Sequence, residues 1–154
     1  MSICPQQQAF IRAMQIDDLA DVLAIEQATS QSPWSELQFE QSIHDTVVLI
    51  CDTRLVGFLV LGSVLDQAEV HNLAIHPQHQ GEGLGSALLD HGIDSLAPEI
   101  TVLHLEVRVS NFRAIRLYQQ RGFVEVGERR DYYKTEYGRE NALLMSRSLA
   151  TDAE

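Results

Sequence analysis

The stretch His79-Gln80-Gly81-Glu82-Gly83-Leu84-Gly85, followed directly by Ser86-Ala87-Leu88-Leu89, decides how this chain folds. Three glycines in five positions bury no side chain and lose the most backbone freedom on folding, so they indicate a tight turn whose N–H groups point into one concavity. Apolar residues then recur at helical spacing, which predicts that a helix begins within the glycine stretch. They are Leu84, Leu88, Leu89, Ile93 and Leu96.

A strand is predicted immediately before the glycine stretch. Val70, Leu73, Ala74 and Ile75 form an apolar run that stops at Pro77. A strand, a glycine loop and a helix N-terminus in this order form a seat for an anion, because free amides and the positive end of the helix dipole act on one point. A plain tight turn has the same spacing, so the spacing alone leaves both interpretations open. The glycines do not fit a P-loop, since no Gly-Lys-Ser/Thr follows, nor a dinucleotide fingerprint.

The size and charge of the chain narrow the classes of partner. With 154 residues, 45% of them hydrophobic, residues 1–154 are predicted to form a single domain with short flexible ends. No apolar run approaches ~20 residues and the N-terminus lacks a signal pattern, so no membrane span or secretory signal is expected. The net charge of −11 repels nucleic acid and anionic membranes, so neither is an expected partner. A basic partner would be attracted, although an acidic surface also serves solubility alone.

Cysteine and histidine usage predicts neither a disulfide framework nor a metal site. Cys4 and Cys51 are too few for a framework and favour reduced thiols in a cytoplasm. His71, His76 and His79 are the nearest histidine grouping, but they straddle a strand end and a loop, with no acidic or thiol partner at ligand spacing.

Strands and helices mingle along the chain, which predicts a mixed α/β class. Strands are predicted at 9–14, 46–51, 55–65, 69–75, 101–109, 123–126 and 141–148, with the polar segment 129–140 joining the last two. Helices are predicted after a cap at Asp17, from a capping box of Ser35 and Gln38, from the glycine stretch to about Ala97, and from a cap at Asn111 to a stop at Gly122.

The glycine motif carries a family resemblance. Gln80, Gly83 and Gly85 match the pattern Gln/Arg-x-x-Gly-x-Gly/Ala, the pyrophosphate-binding signature of the GNAT family of acetyl-CoA-dependent N-acetyltransferases, which this chain resembles from about Phe10 to Leu149. Further motifs resemble the branch of that family that acetylates the N-terminal alanine of a small-subunit ribosomal protein. They are Ser32-Pro33-Trp34-Ser35-Glu36, His71-Asn72-Leu73-Ala74-Ile75, Leu105-Glu106-Val107-Arg108-x-Ser110-Asn111, Ala114-Ile115-x-Leu117-Tyr118, Gly122-Phe123, Arg129-Arg130-x-Tyr132-Tyr133 and Gly138-Arg139-Glu140-x-Ala142.

The resemblance implies a fold and a way of holding acetyl-CoA. The sheet would be mixed and mostly antiparallel, flanked by helices and splayed between its fourth and fifth strands, with acetyl-CoA in the gap. Backbone groups of Leu73, Ala74 and Ile75 would hold the acetyl and pantetheine arm, and Asn111 would touch the far part of that arm. The pyrophosphate would be held by the amides of Gly81, Glu82, Gly83, Leu84, Gly85 and Ser86.

Two positions depart from the family pattern. Gly81 stands where relatives often carry a basic residue, so phosphate binding here is expected to depend more on amides and the helix dipole. Lys134 follows the tyrosine pair where proline is common, which leaves the shape of the substrate-side loop open.

The resemblance also assigns the proton-transfer residues. Glu106 resembles the family's proton acceptor, acting through a water, and Tyr118 resembles the donor to the coenzyme A thiolate. Without the family context, Glu106 is a solvated residue on an alternating strand and Tyr118 a core tyrosine. Because base and acid serve one direct transfer, no acyl-cysteine is required and Cys51 is not a candidate nucleophile.

The acceptor is expected to be the basic N-terminal peptide of a ribosomal protein, modified in the cytoplasm before assembly. Trp34, Tyr132 and Tyr133 would flank the peptide, although Trp34 also suits a hydrophobic staple beside the Ser35 cap. Arginines of the peptide would meet acidic residues, namely Glu36, Glu40 or Asp131. Other N-termini, lysines or a small polyamine stay open as acceptors, as does a non-catalytic module that only binds acetyl-CoA.

Overall fold

The computed structural model describes residues 8–149, which contain seven strands and four α-helices. The strands are β1 (Ala9–Ala13), β2 (Thr46–Cys51), β3 (Arg54–Val64), β4 (Gln67–Ile75), β5 (Val102–Arg108), β6 (Val124–Thr135) and β7 (Gly138–Ser148). The α-helices are α1 (Leu19–Thr29), α2 (Glu36–Gln41), α3 (Leu84–Asp94) and α4 (Phe112–Gln120). Short 3-10 turns lie at Ile16–Asp18, Ile43–Asp45 and Pro77–His79.

The strands form one mixed sheet in the order β1-β2-β3-β4-β5-β7-β6. The pairs β1–β2, β2–β3, β5–β7 and β6–β7 are antiparallel. β4 and β5 are parallel, and their pairing joins Gln67–Val70 to Val102–Leu105. The predicted class, a mixed and mostly antiparallel sheet with helices, is confirmed.

The described chain divides into two compact units, and β4 contributes residues to both. The first unit holds the chain up to Leu61 together with Asn72–Ser95, and the second holds Gly62–His71 together with the chain from Leu96 onward. The single domain and the splay between β4 and β5 stay predictions.

The core of the first unit forms where α1 and α2 pack on β2 and β3. Its buried aliphatic residues include Val22, Ile25, Val48 and Val60. Phe39 of α2 packs edge-on against Phe58 of β3 at a ring-centroid distance of 5.3 Å. The α2 capping box is confirmed, because the Ser35 hydroxyl accepts the Gln38 N–H at 3.2 Å and Gln38 accepts the Ser35 N–H at 2.8 Å.

The start of α1 differs from the prediction. We expected Asp17 to cap this helix, but Asp18 is the N-cap residue and its side chain makes no cap bond to the helix. The Asp18 carboxylate accepts two hydrogen bonds from Arg12, at 2.8 and 2.9 Å, and one from the Gln15 N–H at 2.7 Å. The Arg12 hydrogen bonds hold the pKa of Asp18 below its usual value. The prediction of a cap at Asp17 failed because residues 16–18 form a 3-10 turn, so α1 begins one residue later than expected.

The second unit contains β5, a strand along which buried and half-buried residues alternate. Leu103, Leu105 and Val107 are buried, while the polar residues between them are half-buried, as the sequence pattern predicts. Asn111 caps α4 by accepting the Ala114 N–H at 3.2 Å, and Gly122 follows the helix with φ +89°. The predicted cap at Asn111 and the predicted stop at Gly122 are therefore confirmed.

The polar segment between the last two strands is not a loop. β6 continues through residues 129–135 and pairs with β7, with Tyr133 opposite Glu140 and Thr135 opposite Gly138. The register shifts between Arg129 and Tyr133, where Asp131 has φ +54° and its N–H donates to the Asn141 side chain at 2.9 Å. The prediction of a loop was wrong because this strand is exposed on both faces and lacks a hydrophobic alternation.

The state of Cys51 differs from the prediction. Cys51 is disulfide-bonded, so the expectation of a reduced thiol at this position was wrong, because a low cysteine count argues against a framework and not against an isolated bridge. Cys4 lies outside the described residues.

No helix within residues 8–149 combines the length and apolar composition needed to cross a bilayer.

We predict that Gly92→Ala destabilises the protein although Gly92 lies inside α3. Alanine is favoured over glycine in a helix by about 1 kcal/mol, but a Cβ here would lie 2.5 Å from Leu59 Cδ2 and 3.0 Å from Leu61 Cδ2. Leu59 is fully buried and cannot move aside, so overpacking at about 1–3 kcal/mol outweighs the propensity gain. Urea unfolding measures the difference.

Gly127→Ala is the matched control, because its added Cβ would come no closer than 3.4 Å to Leu144 Cδ1. We expect its free energy of unfolding to change by less than about 0.5 kcal/mol. A Gly92→Ala variant as stable as the wild type would show that α3 shifts on β3 without cost.

Candidate active site

The glycine stretch forms a left-handed turn that leads directly into α3. Gly81 and Gly83 have φ of +83° and +81°, and no atom lies within 4 Å of the position that a Cβ would take at either residue. Gly83 is the N-cap residue of α3 and offers no side chain to cap it. The first intrahelical bond runs from the Ala87 N–H to the Gly83 carbonyl, so the amides of residues 84–86 precede the helical ladder. Uncapped donors at the positive end of an 11-residue helix suit an anionic group.

One contact ties the glycine stretch to the end of β4, and a second ties the residue after β4 to β3. The side-chain amide of Gln80 donates to the Ile75 carbonyl at 3.0 Å. The His76 N–H donates to the Val56 carbonyl of β3 at 2.7 Å. The predicted backbone sites Leu73, Ala74 and Ile75 therefore lie in the same unit as the glycine stretch, directly before it.

Glu82 places a carboxylate inside the loop that is predicted to bind the pyrophosphate, and the orientation of this carboxylate reduces its repulsion of an anion. Glu82 Oε1 is buried and lies 3.6 Å from Nδ1 of the buried His79, a distance too long for a hydrogen bond. This carboxylate oxygen is therefore turned into the protein rather than toward solvent.

A buried carboxylate holds the predicted substrate residue Trp34. Glu26 on α1 has 2% of its surface exposed, accepts the Trp34 backbone N–H at 2.9 Å, and accepts the Asn72 side-chain amide at 3.0 Å. The Trp34 ring lies 5.1 Å from the Phe39 ring and packs against the core of the first unit. These contacts support a packing role for Trp34, and its role in peptide binding stays a prediction.

Sequence reasoning missed Glu26 and Asn72. The signal for Glu26 was its place on the apolar stripe of α1, four residues after Val22 and seven after Leu19, where a carboxylate needs buried donors. Asn72 had no such signal, because a single polar residue within a partly exposed strand is ordinary.

In the second unit, Glu106 lies on the half-buried face of β5 and is paired with a cation. Arg129 Nε and Glu106 Oε1 form an ion pair with a separation of 2.9 Å. The charge of Glu106 also raises the pKa of Tyr133, after the larger effect of burial. Arg129 belongs to one of the sequence motifs, but the sequence predicts no role for it, because nothing in a polar segment indicates which carboxylate an arginine will contact.

Tyr118 is buried in α4 with 7% of its surface exposed, and its ring lies 5.6 Å from that of Phe123. Burial raises the pKa of the Tyr118 hydroxyl far above the usual tyrosine value, with a smaller contribution from Tyr133. The hydroxyl therefore keeps its proton throughout the physiological range and can act as a hydrogen-bond donor.

The two adjacent tyrosines of β6 are held by arginines. The rings of Tyr132 and Tyr133 lie 5.0 Å apart, edge to face. The Arg108 guanidinium lies 4.4 Å from the Tyr133 ring centroid and donates to Glu140 at 2.9 Å, and Arg129 lies 5.5 Å from the Tyr132 centroid. The Arg108 hydrogen bond, with help from Ser110, holds the pKa of Glu140 below its usual value.

The second unit thus brings Glu106, Tyr118, Tyr132 and Tyr133 into one connected group. Asn111 lies at the start of α4 in the same unit, with its side-chain oxygen engaged in the helix cap. Its predicted contact with the coenzyme arm would have to use the amide group, and stays a prediction. Between residues 8 and 149 no group of three or more His, Cys, Asp or Glu side chains is arranged to hold a metal ion.

Comparison with known proteins establishes the family. Residues 14–123 match the model of the Acetyltransferase (GNAT) family. The chain belongs to the GNAT family of acetyltransferases. Members of this family take their acetyl group from acetyl-CoA.

The relatives include enzymes named for one protein substrate. The chain is 39% identical over 140 residues to the [ribosomal protein bS18]-alanine N-acetyltransferase of Escherichia coli K12, covering 88% of this chain and 95% of that protein. It is 36% identical over 143 residues to the protein of the same name from Haemophilus influenzae, covering 90% and 97%. The crystal structure of the Escherichia coli ribosomal-protein-S18-alanine N-acetyltransferase superposes with a TM-score of 0.87 at 37% identity, over 95% of this chain and 97% of that chain.

We predict that Tyr118→Phe lowers turnover about 10-fold to 100-fold, because the role predicted for Tyr118 is a hydrogen bond to the developing negative charge on the coenzyme A leaving group. The ring and its contact with Phe123 are retained, so the fold is expected to persist. Steady-state acetyl transfer measures kcat, and wild-type turnover would show that Tyr118 serves only in packing.

The same variant has an expected effect at alkaline pH. Because the folded-state pKa of Tyr118 is raised, the stabilisation from keeping this hydroxyl protonated is present below the unfolded pKa of about 10 and is lost as the pH rises above it. Tyr118→Phe should therefore lose less stability than the wild type above about pH 10, as thermal unfolding across a pH series would show.

Proposed function

We propose that this chain transfers the acetyl group of acetyl-CoA to the α-amino group of the N-terminal alanine of ribosomal protein bS18. The observation that carries the proposal is the 39% identity over 88% of the chain to an enzyme named for that reaction. The connected group of Glu106, Tyr118 and the two β6 tyrosines supports it, because proton transfer and peptide contact both need polar side chains on rigid elements.

The coenzyme is held mainly by backbone groups. Amides of Gly81, Glu82, Gly83, Leu84, Gly85 and Ser86 bind the pyrophosphate. Backbone groups of Leu73, Ala74 and Ile75 bind the acetyl and pantetheine arm, and Asn111 touches its far part. Support comes from the uncapped start of α3 and the open space beside Gly81 and Gly83. When bound, acetyl-CoA supplies the activated thioester carbonyl.

Glu106 accepts the proton that the amine must lose, acting through a water. A free α-amino group has a pKa of about 8, so on the order of a tenth is already neutral near pH 7 and the base has a modest task. The attacking nitrogen forms the new amide bond, an N–H of Leu73 or Ala74 stabilises the oxyanion, and the carbon–sulfur bond breaks.

Tyr118 stabilises the departing thiolate by a hydrogen bond. Full proton transfer from Tyr118 would be uphill, because its raised pKa lies well above the value of about 8.5 of a thiol. The sulfur therefore takes its final proton from solvent, and the O–H of Tyr118 lowers the barrier by charge stabilisation.

The acceptor is the basic N-terminus of the free protein, met in the cytoplasm where ribosomal proteins are made. A chain with net charge −11 attracts such a peptide and is repelled by ribosomal RNA, which favours modification before assembly. Trp34, Tyr132 and Tyr133 flank the peptide, and Glu36, Glu40 or Asp131 meet its basic side chains. All three of these carboxylates belong to exposed residues.

A peptide experiment tests the reaction. An alanine-led, arginine-rich peptide is incubated with acetyl-CoA and the chain, and mass spectrometry is expected to find one acetyl group on the terminal amine. A peptide led by another residue, one with an internal lysine and a blocked N-terminus, and a polyamine are run beside it. Acetylation of only these would replace the proposed acceptor, and no transfer to any amine would favour a non-catalytic module.

Glu106→Gln is the matched variant for that experiment, since it keeps the side-chain shape and removes the charge. We expect turnover to fall about 100-fold with little change in acetyl-CoA affinity, because the base acts on the amine alone. A turnover unchanged at every pH would remove Glu106 from the mechanism.

Electrostatic steering makes a separate prediction. Raising the salt concentration from ~50 to ~500 mM should increase the KM for the arginine-rich peptide several-fold, because exposed charges are screened. A peptide with glutamines in place of its arginines is the control and should show a higher and salt-independent KM. A salt-independent KM for the basic peptide would contradict steering.

A further inference from the structure

The carboxylate of Glu106 already holds a cation from its own chain. Arg129 Nε lies 2.9 Å from Glu106 Oε1 in an ion pair, and both residues belong to the second unit. The Glu106 side chain is 21% exposed and that of Arg129 is 56% exposed. The residue proposed as proton acceptor is therefore paired before any amine arrives.

The acceptor amine and the Arg129 guanidinium compete for the same oxygen. About nine-tenths of an α-amino group is ammonium near pH 7, a cation with N–H donors, as is guanidinium. The side of Oε1 that faces Arg129 is closed to the amine and to a bridging water, while the 2.9 Å contact is made by Oε1 and not by Oε2. Two cations against one carboxylate oxygen also repel each other, so the amine gains this oxygen only when Arg129 leaves it.

The position of Arg129 makes this departure easy. Its side chain is more than half exposed, so the ion pair is screened by water and weakly held. The same guanidinium lies 5.5 Å from the Tyr132 ring centroid, within cation–π range, and this ring stays available after the carboxylate is released. Arg129 can thus move without losing all of its contacts.

We propose that Arg129 is a built-in competitor that occupies the ammonium position at Glu106 and is displaced by the N-terminal amine of the acceptor. The inference rests on the proposed function, because it needs Glu106 to be the group that receives the amine. Exchange of one cation for another keeps the partly buried carboxylate compensated before and during binding. The site then favours acceptors that arrive as cations over uncharged ones.

Arg129→Ala tests the competition. We expect the KM for the alanine-led peptide to fall about two-fold to five-fold, the range that a weak exposed ion pair allows, with kcat unchanged. Arg130→Ala is the matched control, because it removes the same charge from the adjacent exposed residue, which has no ion pair among the described residues. Arg129→Lys retains a cation and should keep the KM within about two-fold of the wild-type value.

Calorimetry separates competition from a general charge effect. The free-amine peptide is titrated into the protein saturated with coenzyme A, where no transfer takes place, and the same peptide with an acetylated N-terminus is the probe without the cation. Arg129→Ala should tighten binding of the free-amine peptide and leave that of the acetylated peptide unchanged. In the Glu106→Gln background the effect of Arg129→Ala should disappear.

The contrary outcomes are distinct. Three results would each overturn the competitor role, provided that the wild type acetylates the peptide. They are a KM that rises or stays constant in Arg129→Ala, a kcat that falls more than about ten-fold, and an equal gain in binding affinity for the acetylated peptide. A fall in kcat alone would make Arg129 a positioning residue for Glu106. A wild type that acetylates no amine-bearing peptide would contradict the proposed function and this inference together.

Discussion

The first amides of α3 have no acceptor within their own helix, and much of the first unit's architecture serves to leave them so. A capping side chain at position 83 would satisfy one of these donors, but glycine has no side chain. The turn also needs a left-handed backbone at Gly81 and Gly83, which other residues adopt only with strain. Local helix stability is therefore given up, and the first amides of α3 keep their N–H groups outside the helical ladder.

The position of that turn depends on how closely β3 approaches β4. Gly57 allows this approach, because a Cβ there would lie 2.6 Å from Ile75 Cδ1 and 3.0 Å from the Ala74 carbonyl oxygen. The His76 N–H then bonds to β3 and the Gln80 side chain bonds to Ile75. The backbone that is proposed to hold the acetyl group and the loop that is proposed to hold the pyrophosphate are thus set by one piece of strand packing.

Charge in the second unit is arranged in pairs, although the chain as a whole carries a large negative excess. Arg129 compensates Glu106 and Arg108 compensates Glu140, while each arginine also lies against a tyrosine ring. Such pairs contribute little to stability where they are exposed, but they decide which carboxylates are free to meet a cation. The raised pKa of Tyr118 follows from a different cause, burial in α4, and keeps that hydroxyl a donor.

The sequence by itself determined the features that depend on neighbours within a few residues. The glycine turn before α3, the caps at Ser35 and Asn111 and the buried alternation of β5 follow from local backbone chemistry and spacing, and each is present in the structure. The family resemblance rested on the same local motifs. Only the tertiary structure decided the partner of Asp18, the extension of β6 through a polar segment, the disulfide state of Cys51 and the pairing of Glu106 with Arg129. These depend on where the folded chain brings distant polar groups together, and polar side chains carry no periodic signal that names a partner far along the chain.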